Sequence, residues 1–190
     1  MSTDPRPRSA HRLPAAVALT GPGIRLREWT DADLPLLVDL FDEVETARWT
    51  PLASPFDAAA AREFLTKARV ARAEHRAVQL AVTLDGDEPC GVVMLFLGLD
   101  ERPDQAELAY AIGAAHRGRG LAAKAVRLMT DYAYHVVGVP AVGLRIAPDN
   151  VASIGVARAT GFVRSDAPPI VRGRRGGTFT LDLWLHRPVP

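Results

Sequence analysis

The sequence predicts a single α/β domain, a mixed sheet with helices on both of its faces. Three observations predict it. An apolar fraction of 48% over 190 residues suffices for one substantial core. Segments of period two and period 3.6 follow in the order strand, two helices, three strands, helix, strand, helix, strand. That order suits neither an all-parallel nor an all-antiparallel sheet.

Each element has its own signal. Residues 1–20 carry PRPR and HRLP, and Pro14 interrupts their one apolar run, Leu13–Leu19. They read as a disordered leader rather than a secretory signal, leaving 21–190 as the domain. Ile24-Arg25-Leu26-Arg27 alternates as a half-buried strand does. Thr30 suits a helix cap, with Asp31 and Asp33 in the first turn and Leu34, Leu37, Leu40 and Phe41 at helical spacing. A second helix is expected from about Asp57 to Glu74, with Phe64 and Leu65 facing inward.

Val78–Leu84 and Cys90–Leu97 read as strands joined by a hairpin turn at Asp85-Gly86. Ala106–Ile112 is a further strand, and Leu121–Val136 an amphipathic helix ended near Gly138 and Pro140. Val142–Ala147 is expected as a strand and Val151–Thr160 as a helix closed by Gly161. Phe179–Leu185 alternates as a last strand.

Charge and cysteine usage exclude several classes. The chain has 23 basic and 22 acidic residues, a net charge of +1, without the basic excess of a nucleic-acid binder. Arg172-Gly173-Arg174-Arg175-Gly176-Gly177 resembles an RGG segment but occurs once, and reads as a basic hairpin turn. The single cysteine, Cys90, precludes an internal disulfide and suits a reducing compartment. No run approaches the roughly 18 apolar residues of a membrane span, so the expectation is a cytoplasmic protein. The histidines lack metal-ligand spacing, and no metal is expected. Cys90 reads as core and His116 as an exposed loop residue.

The strand–loop–helix at 106–136 holds the strongest functional signal. Leu108, Tyr110 and Ile112 share one strand face; Glu107, Ala109, Ala111 and Gly113 share the other. The small-residue face either leaves a groove or packs under a helix. Next comes Arg117-Gly118-Arg119-Gly120-Leu121-Ala122. Glycines allow close approach of a ligand, and a helix start offers unpaired N–H groups to an anion. Arg117 and Arg119 add charge at the rim. Gly118-x-Gly120-x-x-Ala123 also satisfies a dinucleotide fingerprint, but the turn after Ile112 is too long and three strands precede it. No G-K-[ST] occurs, which excludes a Walker loop.

At these residues the chain resembles the GCN5-related N-acetyltransferase (GNAT) superfamily, whose pyrophosphate loop reads [QR]-x-x-G-x-[GA], here Arg117, Gly120 and Ala122. The resemblance extends over about 22–187 and includes Asn150-x-x-Ser153 followed by Gly161-Phe162. That combination is similar to the ribosomal-protein N-terminal acetyltransferases of the RimJ/RimL-like branch. The resemblance implies a sheet splayed between its fourth and fifth strands, here 106–112 and 142–147. It implies acetyl-CoA as co-substrate, its pantetheine arm pairing with the fourth strand. Dimers are common in the family, so a homodimer is admitted.

The implied reaction is acetyl transfer to a primary amine by direct attack in a ternary complex. It needs a deprotonated amine, a stabilised oxyanion and an assisted thiolate. Glu107 is the first candidate for the base, with orientation of substrate or a structural hydrogen bond as the alternative. A backbone N–H near Ile112 is expected to face the oxyanion. Asn150 either caps the next helix or contacts the cofactor arm, as its family counterpart does. Ser153 is expected to donate to the thiolate or bind the cofactor, or else to be a solvated first-turn serine. Trp29, Trp49 and Phe56 are candidates to line the acceptor pocket.

Two departures from the family stand out. Residues 151–160 lack the tyrosine that relatives place there to protonate the thiolate. The segment 163–180 lacks a glutamate found in some ribosomal-protein enzymes. The acceptor, a protein N-terminus or a small-molecule amine, stays open. A CoA-binding sensor of the same fold, an RNA-binding protein using 172–177 and a nucleotide-dependent oxidoreductase are the competing readings.

Overall fold

The computed structural model describes residues 13–99, 105–174 and 177–188. Its strands are β1 (Leu19–Gly21), β2 (Ile24–Glu28), β3 (Ala77–Thr83), β4 (Pro89–Phe96), β5 (Ala106–Ile112), β6 (Val142–Ile146), β7 (Val163–Arg164), β8 (Ile170–Arg174) and β9 (Gly177–His186). The helices are α1 (Leu34–Phe41), α2 (Val44–Trp49), α3 (Ala58–Ala73), α4 (Leu121–Tyr132) and α5 (Val151–Ala159). The strands run in the order β1-β2-β3-β4-β5-β6-β9-β7, with β8 pairing off β9. β5 and β6 pair in parallel and their neighbours antiparallel, so the sheet is mixed as expected.

Each face of the sheet is covered by its own apolar cluster. Leu108 and Ile112 of β5 pack with Leu121, Ala125, Val126 and Met129 of α4 on one face. Leu37, Leu40 and Phe41 of α1 and Ala61 and Leu65 of α3 pack on the other, with Val92 of β4 and the partly buried Ala111 of β5. The small-residue face of β5 therefore lies under helices at this point. Asp57 caps α3, its carboxylate accepting from the N–H groups of Ala59 and Ala60 at 2.9 Å. Asp33 reaches back to the Thr30 N–H at 2.8 Å and grips Arg27 with both oxygens at 2.8 Å, tying the approach to α1 onto β2. Burial works to raise the Asp33 pKa. The bonds from Arg27 and Thr30 outweigh it and hold the carboxyl below its ordinary range.

The structure corrects the sequence reading in three places. Of the expected leader, residues 1–12 lie outside the described residues, but Leu13 and Val17 are buried in the main cluster and Leu19–Gly21 pairs with β2. Widely spaced apolar residues were enough to anchor that segment although it lacks periodicity. The short α2 falls in a stretch to which the sequence reading assigned no element, and its six residues are too few for a periodic signal. β7 and β8 were missed as well. Exposed on the outside of β9, they carry no alternating apolar pattern. The basic segment 172–177 falls at a hairpin, as expected: Arg172–Arg174 end β8, Gly177 opens the antiparallel β9, and Arg175 and Gly176 lie outside the described residues.

Candidate active site

β5 and β6 pair only at Ala106↔Val142, Glu107↔Gly143 and Leu108↔Leu144. Beyond Leu108 they diverge, while β5 stays paired to β4 as far as Ile112 and β6 to β9 as far as Ile146. Successive strand residues point their backbone groups to opposite sides. The Ala106 N–H faces β6, donating to the Ala141 carbonyl, and the Gly113 N–H faces β4, donating to Cys90. Tyr110 and Ile112 share the parity of Ala106, so both turn their N–H and C=O into the splay. The Ile112 carbonyl is met there by Arg117 Nε at 2.9 Å.

The splay opens into a cleft of about 450 Å³. Tyr110, Ala111 and Ile112 form its floor. His116, Arg117, Gly118, Gly120, Leu121, Ala122 and Ala123 form one wall, and Asn150, Ala152, Ser153 and Val156 the opposite one. Glu45, Thr46, Trp49 and Thr50 of α2 and its end close over it. Arg117, Gly118, Gly120, Leu121, Ala122, Asn150, Ser153 and Ile112 thus converge from three separate elements. Arg119 does not line the cleft; its loop does.

The wall at 117–123 is a helix mouth. Gly118 and Gly120 sit at φ of +74° and +73°, conformations that side chains resist. Gly120 is the N-cap and offers no side chain. The first α4 bond runs from the Lys124 N–H back to the Gly120 carbonyl, so the amides before it have no partner inside the helix. Nothing lies within 4 Å of a Cβ built on either glycine. The glycines therefore shape the loop toward open space rather than fit it against protein. This geometry suits a phosphate group, held by backbone N–H and the positive helix end.

Side chains pin α2 across the cleft from both ends. Arg117 pairs with Glu43 at the start of α2, and burial draws the Arg117 pKa down. Arg48 at the far end lies 3.9 Å from Asp149, which precedes the mouth of α5. Asn150 caps that helix, its Oδ1 accepting from the Ser153 N–H at 3.0 Å. Both Asn150 and Ser153 line the cleft, so the cap and the wall are the same residues.

Glu107 is buried but does not line the cleft. Its two oxygens accept from Arg172 of β8 at 2.7 and 3.1 Å, and Arg145 Nε of β6 stands 3.6 Å away. This network joins β5, β6 and the β8–β9 hairpin, a partnership that strand alternation alone could not disclose. Arg172, singled out as part of a basic segment, is thereby engaged by a carboxylate.

The other candidates divide. Trp49 lines the cleft. Phe56 is buried against Phe41 at a ring distance of 5.7 Å, so it belongs to the core. Trp29 packs on Phe64, away from the cleft. His116, expected as an exposed loop residue, is half-buried and lines the cleft, with Nδ1 buried. Cys90 is core: burial pushes its thiol up, and Sγ donates to the Val82 carbonyl at 3.1 Å. Sequence reasoning missed the position of Tyr110 in the cleft; its place on a strand entering a glycine loop was the available signal. Among the described residues there is no cluster of three or more His, Cys, Asp or Glu able to hold a metal, and no helix long and apolar enough to cross a membrane.

Comparison with known proteins agrees with this geometry. Residues 24–163 match the Acetyltransferase (GNAT) domain family. The Probable N-acetyltransferase YjcK of Bacillus subtilis is 32% identical over 80 residues, covering 42% of this chain and 44% of that protein. The chain thus spans under half the length of that relative. The Uncharacterized N-acetyltransferase p20 of Bacillus licheniformis is 24% identical over 140 residues, 73% of this chain and 77% of that protein. The structure of Mycobacterium smegmatis RimJ in complex with CoA-disulfide superposes with a TM-score of 0.74 at 17% identity, covering 90% of this chain and 86% of that one.

Proposed function

Because the chain belongs to the GNAT acetyltransferase family, we propose that it moves an acetyl group from acetyl-CoA to a primary amine by direct attack within a ternary complex. The observation that carries the reading is the cleft itself, where a splayed strand edge with unpaired amides meets a helix mouth shaped for phosphate.

Acetyl-CoA supplies the thioester as co-substrate. The amides of Gly118, Gly120, Leu121 and Ala122 hold its pyrophosphate, with Arg117 and Arg119 adding charge. The Tyr110 edge of β5 pairs with the pantetheine arm as an added strand would. The Ile112 N–H faces the carbonyl oxygen where negative charge develops, and Asn150 and Ser153 bound the sulfur end. The acceptor must lose a proton first, since primary amines have pKa values of about 8 to 10.5 and are largely protonated at neutral pH. Glu107 lies outside the cleft with both oxygens already accepting from Arg172, so a role as base would need a water to relay that proton. Its geometry favours the alternative, a structural hydrogen bond that ties β5 to the β8–β9 hairpin. Trp49 and the residues of α2 form the wall nearest the acceptor.

Thermal stabilisation by acetyl-CoA compared with NAD and NADP tests the donor site. Ligand at 100 times its dissociation constant adds about 2.7 kcal/mol. Stabilisation by a dinucleotide and not by acetyl-CoA would end the reading. Thiol release against a panel of protein N-terminal peptides and small amines then separates an enzyme from a CoA sensor.

A further inference from the structure

Tyr110 stands on β5 where the strand leaves β6, and it lines the cleft together with Ser153. Its hydroxyl is buried, and among the described residues no hydrogen bond of good geometry reaches it. A buried hydroxyl left unpaired costs on the order of 1–3 kcal/mol, so a hydrogen-bond partner is expected for it. Burial pushes the Tyr110 pKa up to about 12, and the nearby Ser153 hydroxyl offsets part of the rise. The side chain is therefore a neutral phenol at physiological pH, a hydrogen-bond donor that keeps its proton. Ser153 is fixed at the mouth of α5 through its N–H, which Asn150 Oδ1 accepts. The Ser153 hydroxyl, by contrast, can turn about its C–O bond and carries one hydrogen and two lone pairs.

We propose that Tyr110 is a positioning residue: it donates its hydroxyl hydrogen to Ser153 Oγ and so turns the Ser153 hydrogen into the splay, toward the sulfur anion released from a thioester. The proposal rests on the acetyltransferase reading and deepens it. A donor behind the serine oxygen commits the serine's own hydrogen forward, and chained hydrogen bonds strengthen one another. No proton passes between these groups. A thiol ionises near 8.5, well below this phenol, so transfer from Tyr110 to sulfur would run uphill. As the carbon–nitrogen bond forms, the carbon–sulfur bond breaks and its electron pair stays on sulfur. Solvent takes the amine's proton and returns one to the thiolate.

The test is a titration of CoA thiol bound to the protein, read by the ultraviolet absorbance of the thiolate with a desulfo-CoA complex as the blank. On the wild type the bound thiol should ionise about one pH unit lower than on Tyr110→Phe, which removes the hydroxyl and keeps the ring. Ser153→Ala should abolish the same shift, and adding Tyr110→Phe to it should change nothing further, since Tyr110 acts through Ser153. In turnover, Tyr110→Phe should lower kcat about tenfold while KM for acetyl-CoA stays within about twofold. Equal titration in wild type and Tyr110→Phe overturns the proposal, as does a full effect of Tyr110→Phe on the Ser153→Ala background. Should Tyr110→Phe not fold, Ser153→Ala carries the test, and a shift that survives there overturns it. Absence of CoA binding sinks both this inference and the acetyltransferase reading. Binding with an unshifted thiol sinks only this one.

Discussion

At the α4 mouth, the polar groups of the cleft wall belong to the backbone of near neighbours in sequence, Gly118 and Gly120 to Ala123. On the opposite face of β5, the polar network is built from side chains 65 positions apart in sequence, Glu107 and Arg172, with Arg145 brought in from a third strand. The first region depends on local dihedral angles and survives changes elsewhere. The second exists only once β5, β6 and β8 have assembled, so it reports on tertiary structure. The same substitution chemistry should therefore act differently in the two places, on ligand affinity at the mouth and on stability at the network.

The sharpest contrast comes from Glu107→Gln. Removing the charge leaves Arg172 and the buried Arg145 facing a neutral amide. Breaking a buried ion pair costs about 3–5 kcal/mol, and the lower end applies because Arg172 is half exposed. A loss of about 3 kcal/mol lowers Tm by about 6–12 °C for a chain of this size. Affinity for acetyl-CoA, measured by calorimetry below that Tm, should be unchanged. A variant with wild-type Tm and greatly reduced kcat would instead make Glu107 the base and break the distinction between the two regions.

That division also explains what could be read in advance. The helix mouth was legible because Arg117, Gly118, Gly120 and Ala122 specify it within a few positions, and glycine at positive φ leaves a direct mark on sequence. β5 was legible from strict alternation, and Asn150 from its place before a helical pattern. The partner of Glu107 was not legible, because a pair joined by strand order carries no spacing rule. α2 was hidden for a related reason. Its six residues are held by Glu43 to Arg117 and Arg48 to Asp149, ion pairs formed with distant loops. Leu13 and Val17 were misjudged because anchoring needs apolar contact, not periodicity.

Gly120→Ala probes the mouth. An alanine at a φ of +73° costs about 1–2 kcal/mol, and it relaxes either by strain or by turning the loop amides off target. Affinity for acetyl-CoA should fall about tenfold, equivalent to about 1.4 kcal/mol. In contrast to Glu107→Gln, the loss appears in binding as well as in Tm. Retention of wild-type affinity would mean that the loop amides do not hold the pyrophosphate.

The smallest effect is expected where the two ends of the cleft meet, at Glu43→Gln. Glu43 occupies the Arg117 side chain and sets a negative charge beside the helix mouth. Removing that charge frees Arg117 and lessens repulsion of an incoming phosphate, so both consequences favour the donor. Part-exposed ion pairs are worth about 0–1 kcal/mol and are screened within about 10 Å at 0.1 M salt. Acetyl-CoA should therefore bind about two- to threefold tighter at low ionic strength, and the gain should vanish in high salt. Weaker binding would show that the Arg117–Glu43 pair orders the mouth rather than competes with the ligand. α2 would then belong to the donor site and not to a wall laid across it.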